Sequence, residues 1–191
     1  MNAVRGVFVH ERALCESTDV GAGTRVWAFA HVMEGARVGR DCNVCDHVFI
    51  EGGAVVGDRV TVKNNVLLWD GVEVGDDVFL GPNVVFTNDL DPRAAFKKSS
   101  ADLLSTTVGS GATIGASSTI LAGITIHPNA FVGAGAVVTS DVAAHALVFG
   151  NPAARVGWVC ECGRRLNAAL SCECGRGYQV GDERAGLVPV D

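Results

Sequence analysis

The residues that could do the most chemistry stand near the C-terminus. Cys160-Glu161-Cys162-Gly163-Arg164 returns twelve residues later as Cys172-Glu173-Cys174-Gly175-Arg176. Two such knuckles can present four thiolates to one tetrahedral Zn²⁺, and four sulfurs leave no open coordination position. Cys160, Cys162, Cys172 and Cys174 are therefore expected to form a structural zinc site, although the usual knuckle separates its cysteines by two residues rather than one. The remaining chemistry is dispersed. His31 follows Trp27 and Phe29 and so stands beside an aromatic surface; His47 follows Asp46 and is a candidate base or ligand contact. A histidine base needs an orienting partner, which the sequence does not show for His127 or His145. The stretch Asn88 to Thr107 holds Asp91-Pro92-Arg93 and Lys97-Lys98, three of the chain's 15 basic residues, which suits phosphate contacts.

What must position these groups is a repeat of six. Val20, Val26, Val32, Val38, Val44, Ile50, Val56, Val62, Leu68, Val74, Leu80 and Phe86 are all apolar, and the series resumes as Val108, Ile114, Ile120, Ile126, Val132 and Val138. Residues six apart on an α-helix lie about 240° from one another, so the period is not helical. A short strand followed by a corner fits it. The residue four after each is small or β-branched, as in Ala30, Ala36, Cys42 and Val48. One large and one small inward side chain per rung would fill a narrow interior. Gly21, Gly39, Gly57 and Gly75 recur every 18 residues, so three rungs close one coil. Eighteen rungs make about six coils, each rising by roughly 4.8 Å. Phe8 and Leu14 extend the register backwards, although Arg12 then falls on a small inward position.

The expected fold is all-β: a parallel β-helix over residues 1–157, with a loop insertion at 88–107 and a Cys-rich, zinc-ribbon-like tail over 158–191. Residues 18 apart should stack. Asp70 then lies beneath Asn88 and Trp69 beneath Thr87, while Asp46-His47, Asn64-Asn65 and Pro82-Asn83 follow one another coil by coil. These polar residues are expected on one corner region near the loop exit. His127 and His145, 18 apart, are expected on a solvated corner. The same register turns Cys42 inward and puts Cys45 on a corner, so this Cys-x-x-Cys spacing should share no ligand.

A formal charge of −6 argues against a general nucleic-acid binder, which would show a broad basic face. No segment reaches the roughly 20 apolar residues of a membrane span. A cytoplasmic location without membrane partners is expected.

Val26-Trp27-Ala28-Phe29-Ala30-His31-Val32, Val62-Lys63-Asn64-Asn65-Val66 and Asp77-Val78-Phe79-Leu80-Gly81-Pro82-Asn83-Val84-Val85-Phe86-Thr87-Asn88 resemble the bacterial nucleotide-linked 3-amino-sugar N-acetyltransferases. Gly133-Ala134-Gly135-Ala136-Val137-Val138-Thr139 and Gly150-Asn151-Pro152-Ala153 are common across hexapeptide acyltransferases. The resemblance implies a left-handed β-helix and a homotrimer with sites between subunits. It also implies acetyl-CoA along the later coils and a UDP- or dTDP-linked 3-amino sugar as acceptor, in surface-polysaccharide or glycoside biosynthesis. Asn88 matches the asparagine that approaches the amine and is the expected catalytic residue. Phe29, His31, His47, Asn65, Trp69, Asp70 and Arg93 are the expected sugar-nucleotide contacts. Gly115, Ala116, Gly133, Ala134 and Arg155 are expected to bind the cosubstrate. Two alternatives stand beside this: an O-acyltransferase of the same fold with His47 as base, and a non-catalytic β-helix, since fold alone does not give function.

Overall fold

The computed structural model describes residues 6–181 and 186–190. Two-residue strands alternate with corners to build a three-faced parallel solenoid. The first face stacks Phe8–Val9, Arg25–Val26, Asn43–Val44, Thr61–Val62, Phe79–Leu80, Thr113–Ile114, Phe131–Val132 and Ala146–Phe149, and is closed by an antiparallel strand, Ala154–Trp158. The second stacks Leu14–Cys15, His31–Val32, Phe49–Ile50, Leu67–Leu68, Val85–Phe86, Thr119–Ile120 and Val137–Val138. The third stacks Arg37–Val38, Val55–Val56, Val72–Val74, Thr106–Val108 and Thr125–Ile126, extended by bridges at Val20 and Val142. The first face thus has eight parallel levels where the sequence reading gave about six coils. The difference lies at the two ends, where coil length departs from 18.

At the start, Val9 pairs with Val26 and Cys15 with Val32, a step of 17. Phe8 and Leu14 are consequently exposed rather than inward, and Ala13 packs on the core where the 18-residue step had put Arg12. At the far end Val142 pairs with Ile126, a step of 16. His145 therefore stacks over Asn129, not over His127, and it is buried rather than solvated. Between these ends the rung positions from Val26 to Val138 form one continuous buried core. The register places Leu67 on Val85 and then Val85 on Thr119, a step of 34, so 16 residues are added between the second and third faces. Thr106 and Thr107 are already back in the ladder beside Val72 and Glu73, which shortens the loop at its far end.

Re-entry from the loop leaves one local flaw. The Thr106 hydroxyl is buried and has no hydrogen-bond partner among the described residues. An unsatisfied buried hydroxyl costs about 1–3 kcal/mol. Thr106→Val, which keeps the shape, should raise stability by about 1 kcal/mol in urea unfolding; a loss of stability would mean that the hydroxyl is satisfied by water.

The tail is built from two bridge-closed knuckles, Val159 with Arg165 and Ser171 with Gly177, followed by the hairpin Gly177–Val180 with Leu187–Val190. Cys160, Cys172, Tyr178 and Leu187 form its small core with Trp158, Leu166 and Leu170. It docks on the last coil through an Ala144–Gly186 bridge. Among the described residues no helix is long and apolar enough to cross a membrane.

Candidate active site

Most corners hold one residue with positive φ. Between the first and second faces these are Phe29 (φ 60°), His47 (60°), Asn65 (63°), Asn83 (59°), Ser117 (57°) and Gly135 (70°), one above the other. Asn tolerates this left-handed conformation because its short side chain can hydrogen-bond locally; for other L-residues it costs roughly 1–2 kcal/mol. Phe29 and His47 accept that cost and stack their rings 5.0 Å apart at 10°. Arg12 lies over Phe29 at 5.9 Å, and Asn65 donates a 3.0 Å hydrogen bond to Asn83.

The opposite edge of the second face carries Trp69, Asp70 and Asn88. Asp70 does lie one coil below Asn88, and its N–H is bound by the Glu51 carboxylate at 2.8 Å. Trp69 donates its indole N–H to the Phe86 carbonyl at 2.9 Å. The polar residues expected on one corner region therefore occupy two, one on each edge of the second face. His47 and Asn65 belong to one, Asp70 and Asn88 to the other. Between the edges runs a trail of rings: His31 meets Phe49 edge-on at 5.4 Å, and Phe49 meets Trp69 at 5.8 Å. Phe49 was missed by sequence reasoning, yet its signal was available, since it stands 18 residues after His31 at the outward position. Glu16, also missed, lies 3.0 Å from His31 Nε2 and supplies the orienting carboxylate. His47 has no such partner among the described residues.

The loop starts at Asn88, whose carbonyl accepts from Leu104 N–H at 3.0 Å. Lys98 pairs with Asp89, while Arg93 is exposed and bonds only the neighbouring Pro92 carbonyl. Of the three loop cations, Arg93 and Lys97 are left available among the described contacts.

Higher on the first corner, Gly115-Ala116 and Gly133-Ala134 occupy equivalent places in successive coils, joined by a 2.9 Å bond from Gly135 N–H to the Ala116 carbonyl. Some corner amides are capped by a side chain. Asp58, Asp76 and Ser110 cap Arg40, Asp58 and Asp76 between the third and first faces, and Thr87 caps Ala122 beside the loop. The N–H groups of Ala116 and Ala134 find no acceptor among the described residues. Ala134 is exposed and Ala116 half-buried, and the Phe149 ring packs on Gly133 beside them. Arg155 lies elsewhere: its guanidinium stacks 4.2 Å over Trp158 and lines a cavity at the end of the solenoid with Val138 and Asp141.

In the tail the four cysteine sulfurs lie within 4.8 Å of one another, with Cys160–Cys174 and Cys162–Cys172 both at 3.6 Å. Zinc–sulfur bonds of about 2.3 Å imply tetrahedron edges of about 3.8 Å, so this donor set fits such an ion. Arg176, through its backbone N–H and then its guanidinium, holds the Cys174 thiol down at about 6, while Cys172 of the same cluster, against the pull of the Cys174 backbone N–H, is pushed up to about 12 by burial and by its hydrogen-bonded cysteine neighbours. Cys42 is buried against the Gly57 carbonyl and Cys45 meets Asn43, so the two share no centre.

Comparison with known proteins agrees with this architecture. Bacterial transferase hexapeptide (six repeats) matches residues 53–88 and 105–140. The dTDP-3-amino-3,6-dideoxy-alpha-D-galactopyranose 3-N-acetyltransferase of Aneurinibacillus thermoaerophilus is 48% identical over 179 residues, covering 92% of each chain. Two solved structures share the fold. The acetyltransferase domain of PglB from Neisseria gonorrhoeae, in complex with acetyl coenzyme A, is 19% identical with a TM-score of 0.52; the match covers 79% of this chain and 58% of that one. A mutant of AntD, an N-acyltransferase from Bacillus cereus, in complex with dTDP and coenzyme A, is 15% identical with a TM-score of 0.53, covering 80% and 82%.

Proposed function

We propose that this chain, which belongs to the hexapeptide-repeat family of nucleotide-linked 3-amino-sugar N-acetyltransferases, transfers the acetyl group of acetyl-CoA to the amine of a dTDP-linked 3-amino sugar. The observation that carries this reading is the 48% identity to a named enzyme of that reaction over nearly the whole chain. The site geometry supports it. Asn88, at the loop exit, offers a carboxamide to orient the amine, and the aromatic trail from His31 through Phe49 to Trp69 offers a surface for the sugar and base. Phe29, His47, Asn65 and Asp70 rim that surface, and Arg93 supplies a cation for the diphosphate. The uncapped amides of Ala116 and Ala134 suit the pantetheine and the thioester carbonyl, and Gly115 and Gly133 let the chain's own Ala134 and Phe149 pack close behind them. Arg155 remains a candidate for a CoA phosphate.

A neutral sugar amine is nucleophile enough for a thioester. Its lone pair attacks the carbonyl carbon, and backbone N–H groups hold the oxyanion. The C–S bond then breaks, CoA leaves as thiolate, and the proton shed by the new amide nitrogen neutralises it. Orientation is the main task left to the protein. A cytoplasmic setting follows from these cosubstrates, and the product suits surface-polysaccharide assembly. A homotrimer with sites between copies is supported by Leu14, Leu67 and Val85, which leave an apolar stripe exposed on the second face; light scattering of the purified chain checks it. Free CoA thiol should appear when acetyl-CoA meets a dTDP-3-amino-3,6-dideoxyhexose. No release above background with any amino sugar would refute the assignment. A second reading, transfer to a hydroxyl, rests on the His31–Glu16 pair, which resembles an oriented base more closely than His47 does; preference for the hydroxy analogue would favour it.

Cys160, Cys162, Cys172 and Cys174 would hold a structural zinc ion, supplying cross-links and no chemistry to the transfer. Metal analysis should find about one zinc per chain, four sulfurs closing one tetrahedral site. Replacing all four cysteines with serine should abolish it; zinc retained after replacement would place the metal elsewhere.

A further inference from the structure

We infer that the four-cysteine tail belongs to the acyl-donor site: a metal held by the knuckles fixes, through Tyr178, His145 and Phe149, the corner formed by Gly133 and Ala134. This rests on the acetyl-CoA reading of that corner. Tyr178 is buried, and its oxygen receives the Glu161 N–H at 3.1 Å. Its own hydroxyl proton is then left to the Cys160 sulfur, also at 3.1 Å. A hydroxyl donating to sulfur suits a metal-bound thiolate, and partners of this kind orient metal ligands.

The ring of Tyr178 packs 4.7 Å from the ring of His145, which is 4% exposed. The imidazole is fixed on both sides. Nδ1–H donates to the Val159 carbonyl at 2.9 Å, which leaves Nε2 to accept from Asn129 at 3.4 Å. The His145 carbonyl in turn accepts from Val159 N–H at 2.8 Å. One residue of the last coil is thus held by the segment entering the first knuckle, by the hairpin behind the second and by the coil below.

His145 leads directly into the strand Ala146–Phe149. Its last residue, Phe149, presses its ring on Gly133 so closely that a Cβ at Gly133 would fall 1.9 Å from a ring carbon. Arg165, just after the first knuckle, lies 5.9 Å over the same ring. Phe149 is thereby held from the tail by a strand and by a cation, and it bounds the corner beside the free N–H of Ala134. Tyr178, His145 and Phe149 are positioning residues. A tail that merely caps the solenoid would stabilise every coil without singling out the acyl donor.

The full chain should be compared metal-loaded, after chelation, after zinc is restored, and as Tyr178→Phe. Chelation is expected to weaken CoA binding by calorimetry on the order of tenfold, with the amino-sugar KM nearly constant. Zinc should restore it. Tyr178→Phe should lower zinc affinity by about 10- to 100-fold, as loss of a partner to a metal ligand does. Hydrogen exchange should rise at residues 130–137 and 145–149 and stay unchanged around Asn65 and Asn83. Equal CoA affinity with and without metal overturns the inference while leaving acetyl transfer intact. So does a parallel loss of amino-sugar affinity, which would mark general loosening. If no form binds CoA, the acyl-transfer reading fails and this one with it.

Discussion

Asn88→Ala should lower turnover of the amino sugar by about 100-fold while leaving the fold intact, since misplacing a reacting group by about an ångström has that effect. The residue is well suited to so clean a test. Its backbone carbonyl, not its side chain, makes the 3.0 Å bond to Leu104 that closes the base of the loop, so alanine keeps the closure. The carboxamide has no partner among the described residues and is half-buried, which leaves it free to bind an incoming amine. The loss should fall on kcat more than on either KM, because the proposed role is orientation of the attacking nitrogen rather than capture of the nucleotide. Asn88→Asp should recover part of the rate, as an acceptor for the amine N–H remains. Steady-state kinetics with CoA-thiol detection decides the matter. Wild-type turnover in Asn88→Ala would remove the residue from the mechanism.

Phe86→Ala should cost about 3–5 kcal/mol, the usual range for emptying a buried aromatic position. Phe86 is 1% exposed and is the largest of the fully buried side chains. It is stacked beneath Ile120, in a bore lined mainly by Val, Ile, Leu and Ala. Two-residue strands locked above and below give the neighbours little freedom to collapse into the space. Domains of this size are stable by about 5–15 kcal/mol, so the variant would lose a large share of its margin. The damage should also reach the site, because the Phe86 carbonyl holds the indole of Trp69 and the chain reaches Asn88 only two residues later. Urea unfolding measures the first effect, and the acceptor KM in the folded fraction measures the second. A change below about 1 kcal/mol would show that this interior relaxes far more readily than close packing allows.

Much of this was legible in the sequence, because the solenoid writes its core as a period. Each apolar rung from Val26 to Val138 is an inward position, and the 18-residue step correctly placed Asp70 below Asn88. The misreadings came from corners of unusual length. Dropping one residue between Cys15 and Val20, or two before Val142, leaves local apolarity unchanged but shifts the phase, so Phe8, Leu14 and His145 were assigned the wrong environments. The division of the polar residues between two edges was missed for a different reason. A six-residue repeat gives height along the axis clearly, but which corner a residue occupies depends on counting rungs modulo three. Capping of corner amides was not legible either. It depends on whether an Asp or Ser one coil away turns back towards the backbone, as Asp58 and Asp76 do and the alanines of the first corner cannot. Arg155 was assigned to the cosubstrate by resemblance, whereas its stacking on Trp158 follows from an antiparallel return that no repeat announces.

That return has a consequence for how the molecule behaves in a crowd. A parallel ladder ends in a row of unpaired N–H and C=O groups, and any second chain with the same spacing could dock there and grow a fibre. Ala154–Trp158 runs the other way along Ala146–Phe149, with a register shift between Leu147 and Val148, and lays Arg155 across the open end. Its outer edge no longer matches the spacing or direction of another copy's rungs. Removing the segment after Phe149 should therefore convert a discrete protein into one that polymerises end to end, visible as thioflavin-positive rods in which the helical stack of one chain continues into the next.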